Sequence, residues 1–358
     1  MTDIKSFRQG SGMIHKKNKR FSLQAALILL LAALLLPLSA GCAKKGSDFT
    51  LPTRQILDTS AEELKFGGYG YRLYDDGNII ITSYSGSETN ITIPQTIDGK
   101  KVIAIGNEAF LLNKNIQSVK LGRNIETIGD YAFFGCESLH SIEFGPNLWS
   151  IGADAFYETP WYYSQTDEFV IVGDGVLLKY NGTSASVNVP DNVKHISSAF
   201  AQYYDLISVD VGDNVLTVGT LAFAYCPNLK YVRLGSSVRL IGDFAFCGSE
   251  KLAAIDIPDK VEKIGENAFD SCYYLYDVKI GSSVREIGYQ AFYRCYRIRS
   301  ITLPKSLISI GSSAFAECAS LSVIFYTGTE EQFAALVLSE SNYLVKDVPK
   351  IYNYIPRK

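Results

Sequence analysis

A phenylalanine returns every 23 residues along most of this chain, and that period restricts the fold more than any other feature. Phe110, Phe133 and Phe156 form one run; Phe200, Phe223, Phe246, Phe269, Phe292 and Phe315 form a second. Each closes the phrase Ile-Gly-x-x-Ala-Phe or a near variant. Self-similarity at a fixed period of about 20–50 residues marks stacked repeats, in which no single unit buries its apolar side alone and neighbours complete the core. The chain is therefore expected to be a solenoid, although 358 residues would accommodate two globular domains.

Residues 272–294 show one coil. Cys272, Leu275, Val278, Ile280, Val284, Ile287, Ala291 and Phe292 are its inward positions. The triplet Val278-Lys279-Ile280 alternates apolar and polar residues, so it predicts a short strand. The same triplet recurs as Val119-Lys120-Leu121, Ile142-Glu143-Phe144, Val209-Asp210-Val211, Val232-Arg233-Leu234, Ile255-Asp256-Ile257 and Ile301-Thr302-Leu303. Stacked at about 4.8 Å, these strands make a parallel sheet along the solenoid. Gly281 or Pro304 ends a strand, and Gly288 opens a short helical turn that closes in Ala-Phe. Each phenylalanine fills the core, worth about 1.5–3 kcal/mol when fully buried. The middle residues point outward as Lys120, Glu143, Asp210, Arg233, Asp256, Lys279 and Thr302, so opposite charges face each other and contribute about 0.2–1 kcal/mol per pair.

The N-terminus carries an address. Lys16, Lys17, Lys19 and Arg20 precede an apolar run from Phe21 to Leu38, the pattern of a secretory signal over residues 1–41. The run ends Leu38-Ser39-Ala40-Gly41-Cys42, which resembles the lipobox of bacterial lipoproteins, with Ser39 where leucine is commoner. The resemblance implies diacylglycerol on Cys42 and anchorage at the membrane; an uncleaved apolar helix is the other reading. Residues 42–63 then form the lipidated N-terminus and a polar tether. The formal charge of −3 hides this leader: without residues 1–41, which hold six basic residues and one acid, 28 basic and 36 acidic residues remain, a net of −8. An acidic chain lacks the basic stripe of a nucleic-acid binder.

The phrase Ile264-Gly265-Glu266-Asn267-Ala268-Phe269, followed by Cys272 and Leu275, resembles the BspA-type (Treponema-like) bacterial leucine-rich repeat, and the match runs from Ile103 to Leu321. The resemblance implies a repeat solenoid: a leucine-rich repeat of about 23 residues per coil, a β-strand ladder on one side and short helical turns on the other, capped at both ends. It also implies a lipoprotein displayed at the bacterial cell surface for adhesion or protein recognition, with no catalytic residue to carry over.

The array is interrupted once, where Phe156 and Phe200 stand 44 residues apart. Within an insertion at about 157–186, Val170-Ile171-Val172 and Val176-Leu177-Leu178 flank Gly173-Asp174-Gly175 and predict a hairpin. It is either a structural coil variant or a protrusion that meets a partner. A solenoid also needs caps over its open core. The expected organisation is an N-terminal β cap over 64–101, the solenoid over 102–325 and a C-terminal cap over 326–358, where Thr329-Glu330-Glu331-Gln332 reads as a helix start.

Constellations that could carry chemistry are sparse. Cys136, Cys226, Cys272, Cys295 and Cys318 stand three residues after their phenylalanine, whereas Cys247 stands one after. Buried free thiols, disulfides between stacked coils, or a metal are the readings of such a column. No Cys-x-x-Cys or histidine partner favours zinc, and parallel side-chain vectors suit a disulfide poorly. His140 and His195 have no nucleophile nearby in sequence, and Gly67-Gly68-Tyr69-Gly70 lacks the spacing of a dinucleotide loop. No cofactor and no enzymatic activity are expected. Tyrosine is the unusual residue, 23 in all. Tyr273, Tyr274, Tyr276, Tyr293 and Tyr296 are interleaved with Arg294, Arg297 and Arg299, and exposed tyrosine and arginine are favoured where proteins meet. These eight residues are the candidate binding patch; simple coverage of a β-rich surface is the plainer reading. The partner is expected to be an extracellular protein or host matrix ligand, bound by a monomer without nucleic acid. A carbohydrate-binding module using the same Tyr/Arg-rich face is the alternative.

Overall fold

A computed structural model describes residues 54–57 and 62–356. The leader, Cys42 and most of the expected tether lie outside the described residues. Residues 54–57, placed in the tether by sequence, run along the first hairpin: Ile56 bridges Tyr74, and Arg54 pairs with Asp76 and, at 2.9 Å, with Glu126.

The coils supply their apolar triplets to a parallel ladder that runs in three segments. Val119 lies opposite Ile142, Val209 opposite Val232, Ile255 opposite Val278 and Ile301 opposite Ile324. A second ladder was not read from the sequence. Two-residue strands just before the glycine, such as Lys263–Ile264 and Glu286–Ile287, pair in parallel from His195–Ile196 through Val337–Leu338. Two residues are too few for alternation to register as a pattern, so only stacking reveals them.

Between the ladders the chain turns tightly. Successive four-residue turns, Ala291 N to Gly288 O, Tyr293 N to Gln290 O, Cys295 N to Phe292 O and Ile298 N to Cys295 O, carry it in short helical steps around the core. Gln290 and Arg294 hold left-handed φ values of 51° and 58°, and the matching residues of the other coils do likewise except at Ser198. Gly288 answers a different need: a Cβ there would lie 2.6 Å from the backbone nitrogen of Glu266 in the coil below, so only hydrogen lets the coils close.

The phenylalanines form the core column. Phe246 and Phe269 are fully buried, with ring centroids 5.2 Å apart and planes 5° from parallel. From Phe200 to Phe315 every neighbouring pair is stacked in this way. Phe110, Phe133 and Phe156 make a separate column. The apolar core divides accordingly, one cluster running from Tyr71 to Leu178 and the other from Leu177 to Val348.

The division falls at the insertion. The strands Phe169–Val172 and Val176–Tyr180 form an antiparallel hairpin whose second strand pairs in parallel with His195–Ile196. It repeats the start of the molecule. There, β1 (Leu64–Phe66), β2 (Tyr69–Leu73) and β3 (Ile79–Tyr84) form an antiparallel sheet, and β3 pairs in parallel with Lys100–Ile105. Tyr84 heads the first aromatic column 5.3 Å from Phe110, and Tyr180 heads the second 5.1 Å from Phe200. At the far end Thr329 and Gln332 form a capping box on the helix Glu330–Ala334, whose Phe333 packs on Tyr326, and Lys350–Ile351 extends the first ladder.

Candidate recognition site

The conserved geometry of the coil turns sequence slots into surface columns. Tyr273 and Tyr296 hold one slot in adjacent coils, and their rings stack at 5.5 Å and 17°. Tyr274 and Arg297 hold the next, and the guanidinium carbon of Arg297 lies 4.1 Å from the centre of the Tyr274 ring. Arg294 likewise sits 4.8 Å over Tyr293. A cation over an aromatic face is attracted by the ring quadrupole, by about 0.5–1 kcal/mol at an exposed site. Tyr276 and Arg299 share a third slot, with Tyr276 58% exposed. The stack and the cation contacts hold the rings in fixed orientations, which lowers the ordering cost of presenting them to a partner. In the coils on either side the slots of Tyr273, Tyr274 and Tyr276 hold Glu250, Lys251 and Ala253 below and Ala319, Ser320 and Ser322 above, so the aromatic cluster spans two coils.

Tyr276 also lines a shallow depression of about 470 Å³ in the strand face, together with Tyr231, Arg233, Ala253, Ala254 and Asp256. Sequence reasoning missed this feature. The first ladder opens there: Tyr231–Arg233 ends one sheet and Ala254–Asp256 begins the next. The charge column parts at the same place. Lys120 pairs with Glu143 at 2.7 Å, Arg233 with Asp210 at 2.7 Å and Lys279 with Asp256 at 3.6 Å, and these pairs leave the Arg233–Asp256 step unbridged. The available signal was that two consecutive surface slots at the start of the strand, Ala253 and Ala254, both hold alanine in one coil, beside the 66%-exposed Tyr231.

The cysteines are structural. All six described are free and buried. Each thiol of the column donates to the carbonyl of the phenylalanine one coil back: Cys136 to Phe110 at 3.1 Å, Cys226 to Phe200 at 3.1 Å, Cys272 to Phe246 at 3.3 Å, Cys295 to Phe269 at 3.2 Å and Cys318 to Phe292 at 3.1 Å. Ser249 fills the slot that the displaced Cys247 leaves, donating to Phe223 at 3.0 Å. Burial pushes the Cys226 and Cys318 thiols up to about 12, far from nucleophilic.

His195 is buried against Trp149, its Nδ1 3.0 Å from Thr217 Oγ1, and burial holds its imidazole down at about 3. His140 is exposed on another coil. Among the described residues no three His, Cys, Asp or Glu side chains converge as a metal site requires.

None of the curated proteins compared matches the chain. Solved structures similar to it include a leucine rich cell surface protein from Faecalibacterium prausnitzii A2-165, 20% identical, covering 78% of this chain and 98% of that one with a TM-score of 0.39. A T. pallidum leucine rich repeat protein is 22% identical over 73% of this chain and 91% of that one, TM-score 0.28. The pneumococcal vaccine antigen PcpA is 16% identical over 82% and 99%, TM-score 0.42. The model of the BspA type leucine rich repeat region, itself described as six copies of the repeat, matches residues 103–230 and 216–345. With the Ile-Gly-x-x-Ala-Phe coils, the stacked phenylalanine column and the two parallel ladders, this places the chain in the BspA-type leucine-rich repeat family.

Proposed function

We propose that this protein is a non-catalytic recognition scaffold, held at a bacterial cell surface by lipid on Cys42, that binds an extracellular protein through the face formed by Tyr273, Tyr274, Tyr276, Tyr293, Arg294, Tyr296, Arg297 and Arg299. One observation carries the reading: exposed tyrosines and arginines, ordered against each other by stacking and cation contacts, adjoin a depression in the strand face. Rigid aromatic and arginine anchors next to a concavity are what protein interfaces use as hot spots. The test is capture of matrix or host proteins by residues 43–358. Replacing Tyr273, Tyr296 and Arg299 together by alanine should abolish capture while leaving the circular dichroism unchanged; full capture by that variant refutes the site. Cys42→Ser should abolish incorporation of labelled palmitate, and retained incorporation would refute the anchor.

A glycan ligand is the second reading, favoured by Tyr231 and Tyr276 framing the depression beside Asp210, Arg233 and Asp256. Aromatic faces and carboxylates suit sugar rings and hydroxyls. A glycan array probed with the same fragment separates the two, since a protein-binding face leaves the array blank.

A further inference from the structure

The internal hairpin copies the N-terminal one pair for pair, with one strand missing. In the first, Tyr69 faces Tyr84 and Gly70 faces Ser83; after a bulge, Tyr71 faces Ile81 and Arg72 faces Ile80. In the second, Phe169 faces Tyr180 and Val170 faces Lys179; after a bulge at the same step, Ile171 faces Leu177 and Val172 faces Val176. Even a small detail repeats: Gly86 and Gly182, each two residues beyond the tyrosine, make room for that ring, which a Cβ would meet at 2.3 and 2.2 Å.

In the N-terminal hairpin the outer edge of β2 is covered. Leu64, Lys65 and Phe66 of β1 pair antiparallel with Tyr71, Gly70 and Tyr69. The equivalent strand, Phe169–Val172, is the terminal strand of its sheet. Its only backbone partners among the described residues are in Val176–Tyr180. The chain that precedes it does not take the place of β1. It forms the helix Pro160–Ser164, whose Trp161 packs on Phe144 and Phe156, while Lys179 Nζ donates to the Tyr162 carbonyl at 3.2 Å. Phe169–Val172 thus presents unpaired N–H and C=O groups on a half-buried apolar strand, a template for pairing with another chain.

We propose that the outer edge of Phe169–Val172 takes up an extended strand of a partner polypeptide, antiparallel, in the position β1 holds on the N-terminal hairpin. Main-chain hydrogen bonds give such strand addition its affinity, and alternate side chains give specificity. The occupant's chemistry follows from β1 and from the surroundings. β1 alternates apolar and basic residues, Leu64-Lys65-Phe66, and the vacant edge begins beside exposed Asp167 and Glu168, which favour a basic residue in the added strand. An acid preceding that strand is not selected. Glu63 reaches Ser83 at 2.9 Å by crossing Gly70, and Val170 closes that path. The site does not involve the tyrosine–arginine face and stands without it.

The test uses the purified chain and a synthetic peptide of residues 62–68 with both glutamates replaced by threonine. Hydrogen–deuterium exchange should slow about tenfold at the outward amides of Phe169–Val172 with peptide at about 1 mM, and stay unchanged at β2. Peptides N-methylated at alternate amides should bind in one parity only, because only every second amide faces the edge. No slowing, or equal binding by both parities, overturns the proposal. So does a dimer that already protects these amides without peptide, since the edge would then belong to a second copy.

Discussion

Replacing Phe269 by alanine removes one ring from the middle of the longer aromatic column. The ring is fully buried and lies 5.2 Å from Phe246 and 5.1 Å from Phe292, both within 6° of parallel. Truncating a buried phenylalanine costs about 3–5 kcal/mol, transfer and cavity terms together. Little of that is recoverable by collapse, because Ala268, Cys272 and Leu275 around it are held by ladder strands and turns that cannot close in without unstacking their neighbours. The effect should also be local. A coil touches only the coils beside it, and the core splits at the internal hairpin. Equilibrium denaturation measures the loss, and hydrogen–deuterium exchange locates it. Amides from Ile241 to Ala314 should exchange faster, while those from Val102 to Phe156 keep their protection. A loss under about 1 kcal/mol, or equal loosening on both sides of the hairpin, would refute the account of two capped blocks.

Four further outcomes are expected. Gly288→Ala should unfold the array at markedly lower temperature, since its Cβ meets the backbone of Glu266; an unchanged melt in calorimetry counts against the close-packed coil. Ellman's reagent at pH 8 should leave the six core thiols untouched in the native protein and titrate them after denaturation, whereas prompt native reaction would show them accessible. His195 sits at about 3 when folded and 6.5 when free, so only the unfolded chain takes up its proton between those values. Its contribution to stability should therefore be lost as pH falls below about 6.5, by at most about 1.4 kcal/mol per unit, and His195→Gln should flatten that slope in pH-dependent melts. Arg233→Asp places like charges beside Asp210 and Asp213 and should lower stability by about 0.5–1 kcal/mol, the pair being half exposed; an unaltered melt removes the charge ladder from the account.

The recognition face was legible in part. Once the period fixes the register, Tyr273 and Tyr296 must be neighbours, and their stack follows from spacing alone. Spacing likewise puts Arg299 in Tyr276's slot, but that the Arg297 guanidinium would settle over the Tyr274 ring depends on side-chain directions that spacing does not contain. The depression beside Tyr276 arises from two alanines and a parted ladder, and a missing side chain leaves no motif. The same holds for the thiols. Sequence placed five of them three residues after their phenylalanine, but their donation to the carbonyl one coil back spans 26 residues and exists only through stacking.

The sequence by itself determined the solenoid, because a strict repeat of 23 residues with one large apolar ring per period has no other way to bury those rings. It also determined which side of each strand faces water, because alternation within a triplet leaves no choice. Only the tertiary structure decided that the insertion is a second start of the array. The two hairpins share a pairing register and a bulge but few identical residues, Phe169 standing for Tyr69 and Leu177 for Ile81. Backbone hydrogen bonds, which carry no side-chain signature, are what they have in common. The unfilled strand position beside Phe169–Val172 is visible only when the two are laid over each other, for the same reason.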